Sequence, residues 1–457
     1  MPEAENPVPT KPASNPWRDL SRSLNLVGSG SVSLLAWILP DAKPDAIFGR
    51  LNYWQTGLAV VLTAWFASSA VVLGARESHR RQRSFRVAAI WLGIVAALLL
   101  SEAAAWLLPY EHLADNPWYV FLGSGVVDGG GDDVRFIRPP HINWHGRSRG
   151  DLAIIADRPD PYAQRVVYQT DSEGFRNGRE IREAQIIFLG DSFTEAGNMP
   201  EKKTFAHRVA RALNVVGRNL GRSGYSPSEE LSVLKTYGLR CRPDIIVWQI
   251  SETNDLNDEV DFHNWITVGR PPGPPLTPFP RSEAWKKRSP SRRLFRLLRQ
   301  STPWRYSGTF RDSTGQSHDI LFSSPPDVNH SPVGHNGWPL MEAALREGVR
   351  EVRSNNVKLV LLLVPKKMRV LGHYVEFDAE ARRNLAPQWD LSRQETLAWH
   401  LDRLCRELDV PFVDATLLLK QQAADGQLIY LPLDSHLSSK GHRVVAETIV
   451  EILRREF

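Results

Sequence analysis

Cysteine is scarce in this chain: there are two among 457 residues, Cys241 and Cys405, far apart in sequence. That excludes a disulfide framework and any Cys-based metal spacing. Two unpaired, buried or half-buried thiols are the favoured reading, with a single bridge left open for an oxidising compartment. Strong charge bias is also missing. The formal net charge is +5, and no aromatic-basic motif accompanies the arginines, so no nucleic-acid partner is expected. The sequence has no internal repeat. His141, His145, His330 and His335 show no metal-ligand spacing on an element, so neither metal nor cofactor is expected.

Long apolar runs are present, and they are confined to the N-terminal third. Residues 57–75 carry no charge, and residues 87–108 carry only Glu102. Each is about 20 residues, enough at about 1.5 Å per residue to cross a hydrocarbon core of roughly 30 Å. A weaker stretch at 24–40 contains Gly28, Gly30 and several serines. Between the two strong runs, what reads as a loop holds Arg76, Arg80, Arg81, Arg83 and Arg86 against Glu77. Such arginine-rich segments stay in the cytoplasm, so the chain beyond Leu108 is expected outside it, on a multi-pass inner-membrane anchor. The first apolar stretch lacks a good cleavage site and is succeeded by further apolar runs, so a cleaved signal peptide is not expected. Glu102 lies near one end of its run, where snorkelling accounts for it.

The remainder alternates. Apolar runs at 185–189, 215–220, 244–251, 357–364 and 411–414 read as strands. Helical spacing appears at 203–214, 226–239, 341–354, 391–408 and 439–455. Continuous apolar runs mark strands buried on both sides, and the alternation predicts an α/β fold with a parallel sheet and helices on both faces. Ligands in such folds sit at the carboxyl ends of the strands. The expected organisation is a cytoplasmic tail at 1–22, an anchor at 23–110, a transition segment at 111–178 with a Gly/Asp-rich loop at 123–133, and an α/β domain at 179–457. The domain is interrupted by a Pro-, Arg- and Ser-rich insertion at 261–337.

The chemistry concentrates in four blocks. Ile187–Gly197 reads IFLGDSFTEAG: a strand ends in Gly-Asp-Ser and a helix is expected next. A serine hydroxyl there is a weak nucleophile and needs a base. Further on come Asn219-Leu-Gly-Arg-Ser-Gly224, then Glu252-Thr-Asn254-Asp255 after a strand, then Asp434-Ser-His436 before the last helix. In kind and order, over residues 169–450, these resemble the motif blocks of the SGNH (GDSL-like) hydrolase family. The resemblance implies a flavodoxin-like three-layer α/β/α fold. It implies Ser192 as nucleophile, His436 as general base and Asp434 as its orienting carboxylate. The oxyanion hole would come from the Ser192 and Gly224 N–H groups and the Asn254 side chain, with Gly221 competing for the glycine role. The chain departs from the family at Glu252, where glycine is usual. It also has Asp-x-His rather than Asp-x-x-His, a spacing similar to the alginate-acetylation branch of membrane-associated SGNH-like proteins. Lys366 or Lys367, after a strand end, faces either the site or solvent.

Three features compete with this reading. Gly146-Arg-Ser148-Arg-Gly150 matches G-x-S-x-G, but it reads as a polar loop without the strand and helix that motif requires. His442 falls on the last helix and reads as a structural partner. Lys286–Arg299 contains part of a basic amphipathic helix, read as a cap with a solvated arginine face or, more sharply, as a lid meeting anionic headgroups or an acidic polysaccharide. The function expected is acyl-ester hydrolysis or O-acyl transfer through a seryl-acyl intermediate on an acylated small molecule, glycan or lipid. A membrane-surface lipase or phospholipase, and a non-catalytic glycan-binding or assembly protein, are the alternatives.

Overall fold

The computed structural model describes residues 23, 25–27, 46–48, 51–107, 134–156, 158–269, 289–290, 306–323, 334–385 and 396–456. The tail at 1–22, most of the weak span at 24–40, the loop at 123–133, His330 and all of 286–299 except Ser289 and Pro290 lie outside the described residues. The chain divides into two units, one of residues 1–109 with 281–302 and one of 110–280 with 303–457.

The first unit is built on two helices, α1 (Tyr53–Leu73) and α2 (Glu77–Leu107). Among the described residues, α2 alone is long and apolar enough to cross a membrane, and none of its most apolar window is buried; the apolar part of α1, Ala59–Leu73, is shorter. The expected arginine loop is corrected: Arg80, Arg81, Arg83 and Arg86 belong to the first turns of α2, and the connection is only Gly74–Arg76. Arginine and glutamine are good helix formers, so nothing in that stretch stops the helix. Glu102 Oε1 accepts a hydrogen bond from Ser289 Oγ at 2.8 Å.

The second unit is the α/β domain. In chain order its first elements are β1 (Asn143–Ser148), α3 (Asp151–Ile155), β2 (Gln164–Gln169), β3 (Ile186–Leu189), α4 (Ser192–Glu195), α5 (Phe205–Leu213), β4 (Gly217–Asn219), α6 (Pro227–Val233), β5 (Ile245–Ser251) and α7 (Asp255–Thr267). Next come β6 (Ser307–Arg311), β7 (Ser317–Leu321), α8 (Gly337–Ser354), β8 (Lys358–Val364), α9 (Lys367–Leu371), β9 (Val375–Phe377), α10 (Ala379–Leu385), α11 (Leu397–Glu407), β10 (Phe412–Asp414), α12 (Thr416–Ala424) and α13 (Ser439–Glu456). The central sheet runs β10-β8-β5-β3-β4, all parallel. The chain starts at β3, steps out to β4, then returns across β3 to β5, so the switch point lies between β3 and β5, where the crevice of such a sheet opens.

Successive side chains of a strand point to opposite faces. Ile186, Phe188, Val247, Val360 and Leu362 pack with Phe205 and Val209 of α5 and Val445, Ile449 and Leu453 of α13. Ile187, Leu189, Trp248, Leu359 and Leu361 pack on the other face with Met341, Leu345 and Val349 of α8 and Leu401 and Leu404 of α11. Both faces are therefore covered, which is why these strands read as continuous apolar runs. Burial of each such side chain stabilises the fold by about 1.5–3 kcal/mol.

Two sheets were not expected from the sequence. β1 and β2 form an antiparallel pair, and β9-β6-β7 form a second antiparallel sheet built partly from the 261–337 insertion. The expected helix at 226–239 is present but changes form along its length: α6 ends at Val233, and Leu234–Gly238 and Leu239–Cys241 continue as a π turn and a 3-10 turn. The π turn widens the helix, and the 3-10 turn after it tightens the chain to a stop.

Candidate active site

Ser192 follows β3 through Gly190-Asp191 and opens α4. Asp191 caps that helix, its Oδ1 accepting the Phe193 N–H at 2.9 Å. Asn254 follows β5, the neighbouring strand across the switch point. His436 lies after β10, two residues beyond Asp434. The parallel sheet thus delivers residues 244 positions apart to one end of the strands. The Ser192 Oγ donates to His436 Nε2 at 2.8 Å, and His436 Nδ1 donates to Asp434 Oδ1 at 2.6 Å. The His436 N–H also reaches Asp434 Oδ1, at 2.9 Å, and Asn198 Nδ2 donates to the other oxygen at 3.1 Å. Ser192 and His436 are only 7% and 6% exposed, so the pair is screened from bulk water.

Burial alone would lower the His436 pKa. The Asp434 carboxylate, with Asp151 and Asp191 behind it, outweighs burial and raises it to about 9. Burial pushes Asp434 up, but the adjacent imidazole and three hydrogen bonds prevail, so its pKa is lowered.

Gly224 sits at φ +82°, a left-handed conformation that glycine adopts without a steric cost. Neither its N–H nor that of Ser192 donates to an acceptor among the described residues. The Gly221 N–H, by contrast, is taken by Asn219 Oδ1 at 2.8 Å. The Asn254 side chain accepts from Ser251 Oγ at 2.9 Å and donates one N–H to Asp258. Glu252 is buried, and its carboxylate binds the Lys366 N–H at 3.0 Å and Arg369 Nε at 2.7 Å, tying the end of β5 to the end of β8.

Several residues at the site have roles that the motif blocks did not announce. Glu195, one turn after Ser192, is buried; it accepts from Arg138 Nε at 2.6 Å, from the Tyr168 hydroxyl, and from the Ser223 N–H at 2.7 Å. It therefore ties α4 to the Ser223–Gly224 turn. Burial raises the Glu195 pKa, but Arg138 and Arg222 hold it down at about 2. Lys367 is buried and donates to the carbonyls of Leu321, Leu431, Pro432 and Asp434 at 2.8–2.9 Å, gripping the loop that carries Asp434 and His436. Asp151 meets the same loop from the other side. These partners come from the hairpin before β3, or answer to backbone carbonyls, which no residue spacing announces.

The other candidates fall elsewhere. Gly146–Ser148 is the end of β1, with α3 beyond it, so the expected loop is corrected: alternating inward Trp144 and Ser148 make a strand whose outward residues are polar. Ser148 is buried and its hydroxyl has no hydrogen-bond partner among the described residues. His442 stacks on Phe205 and accepts the Phe205 N–H at 3.2 Å; burial lowers its pKa to about 3. Cys241 and Cys405 are both free and buried. Among the described residues, Asp151, Asp434 and His436 are the one trio whose donor atoms, within 4.8 Å of one another, are spaced as metal ligands would be, and two of them are already joined by the Nδ1–Oδ1 hydrogen bond.

No curated protein compared with the chain matches it. Solved structures similar to it include a GDSL-like lipase from Bacteroides thetaiotaomicron (11% identity, 60% of this chain and 88% of that one, TM-score 0.30). A catalytic mutant of an acetylxylan esterase from Geobacillus stearothermophilus is also similar (14%, 59% and 93%, TM-score 0.32). So is an alpha/beta hydrolase from the metagenome of Lake Arreo (13%, 60% and 95%, TM-score 0.31). The model of the GDSL-like lipase/acylhydrolase family matches residues 188–444, more than half of the sequence and all four motif blocks from the end of β3 into α13. The chain belongs to the GDSL-like lipase/acylhydrolase family.

Proposed function

We propose that the protein cleaves or transfers acyl esters through a seryl-acyl intermediate, with an O-acylated cell-envelope glycan or lipid as substrate. The observation that carries this reading is the Ser192–His436–Asp434 chain of hydrogen bonds, 2.8 and 2.6 Å long, at the carboxyl end of the sheet. Ser192 Oγ attacks the ester carbonyl while His436 Nε2 takes its proton, and Asp434 holds the Nδ1 tautomer and steadies the imidazolium. The oxyanion is met by the Ser192 and Gly224 N–H groups and by the Asn254 amide. Collapse expels the alkoxide, which leaves with the proton from Nε2. Water then regenerates Ser192 as an esterase would, or a sugar hydroxyl does so in acyl transfer.

The envelope location draws on α2, whose apolar face is unburied, and on the arginines of its first turns, which favour the cytoplasmic side and so direct the α/β domain outward. The test uses the full chain in detergent, with a fluorophosphonate probe and p-nitrophenyl acetate. Labelling and acetate release are expected in the wild type and absent in Ser192→Ala; labelling that persists in the variant discards the nucleophile. Adding a glycan acceptor separates the two outcomes, since acetate recovered on the glycan identifies a transferase and free acetate alone an esterase.

A further inference from the structure

We propose that Asp151, on a segment that precedes the family-matched region, is a positioning residue for His436: it clamps the Asp434-Ser435-His436 turn and supplies a second negative charge to the imidazole. The inference rests on His436 being the general base.

Asp151 is the first residue of α3, and Gly150 occupies the cap position. An aspartate there ordinarily points to water and complements the helix dipole. Here its side chain is 20% exposed and both oxygens are committed to the next segment of the site. Oδ1 accepts the Ser435 N–H at 2.8 Å as well as the Leu152 N–H at 2.7 Å, and Oδ2 accepts the Ser435 hydroxyl. Ser435 is the single residue between Asp434 and His436, so holding it at backbone and side chain sets the shape of the shortened Asp-x-His turn. The flanking contacts agree. The Ala153 N–H donates to the Leu433 carbonyl at 2.9 Å, and a Cβ at position 150 would lie 2.1 Å from that oxygen, so glycine is required for the approach. Lys367 grips Leu431, Pro432 and Asp434 from the opposite side.

The charge acts in addition to the clamp. Asp151 Oδ2 lies 4.0 Å from His436 Nδ1, too far for a hydrogen bond, while Asp434 takes the proton at 2.6 Å. An opposite charge at that range favours the imidazolium. The other groups acting on the ring are Asp434, Asp191, the Ser435 hydroxyl 3.3 Å from Nδ1 and the neutral His442; Lys367, with Asp160 beyond it, acts on Asp434 and Asp151.

The experiment measures kcat/KM for p-nitrophenyl acetate across about pH 5 to 10 with the full chain in detergent. Wild type, Asp151→Asn and Ser435→Ala are compared, with Ser192→Ala as control. Asparagine keeps the shape and removes the charge, so the midpoint of the rise with pH should move down by about one unit. Ser435→Ala keeps the charge, loosens the clamp and removes the Ser435 Oγ contact to His436 Nδ1 at 3.3 Å, so its midpoint should move less than that of Asp151→Asn while its plateau falls. If Asp151→Asn does not accumulate as folded protein, Asp151→Ser carries the same reading. A midpoint unmoved in the folded, charge-free variant overturns the proposal. Activity equal to wild type in Ser192→Ala overturns instead the assignment of the nucleophile, so the two failures are distinguishable.

Discussion

Ionisation of His436 couples activity and stability with opposite signs. Its folded pKa is raised from 6.5 to about 9, because Asp434 and its carboxylate neighbours overcome burial. The stabilisation from the charged pair is therefore fully present below about pH 6.5 and lost as pH rises through 9. A general base must be neutral, so kcat/KM should climb over the same window while Tm declines. Activity and Tm rising together would contradict the assignment. Glu195 behaves in the opposite way: its pKa is depressed to about 2, so its contribution is present above about pH 4.5 and disappears as pH falls toward 2. Glu195→Gln leaves Arg138 and Arg222 buried without their counter-charge, and a loss of about 3–5 kcal/mol is expected in denaturant unfolding. At Asn254, alanine should lower kcat by about 10²–10³ with KM little changed, since in the proposed mechanism the amide acts on charge that develops only in the transition state.

Among the elements, β5 and β8 were legible because both their faces are apolar, whereas the β1–β2 and β6–β7 pairs were not. β6 and β7 alternate inward Phe310, His318 and Ile320 with outward Arg311, Ser317 and Asp319 around an Asp312–Gly315 turn. That is a hairpin signal hidden inside a segment whose overall composition is polar. The four blocks were readable for a related reason: each sits directly after a strand or before a helix, where local sequence and local backbone coincide. What holds those blocks in place was only partly readable: a lysine facing the site was one of two readings for Lys366 or Lys367, but its partners were not in the sequence. Lys367 sits at the start of α9, and its ammonium serves carbonyls of the loop before α13, whose own side chains do not declare the need. Lys367→Met should remove this anchor and leave the carbonyls unsatisfied. Several kcal/mol of stability should be lost, with a fall in kcat larger than any change in KM, measured by urea unfolding and steady-state kinetics.

At the scale of the molecule, the segment at 134–178, which includes the hairpin ahead of β3, is tied to the candidate site. Arg218 is paired with Asp171, Glu195 with Arg138, and Ser435 with Asp151, and in each pair one member precedes residue 179. A chain beginning at residue 134 should be soluble and retain esterase activity, and one beginning at 179 should be insoluble or inactive; equal activity of the two would show the hairpin to be dispensable. The residues alone determined the parallel α/β class, the order of the family blocks and the apolar N-terminal runs, because strand burial, motif spacing and hydropathy are local properties of the chain. Only the tertiary structure decided which buried charges support the site. Asp151, Arg138, Glu195 and Lys367 are matched to their partners by proximity in space across up to 284 positions of sequence, and electrostatic energy depends on that proximity.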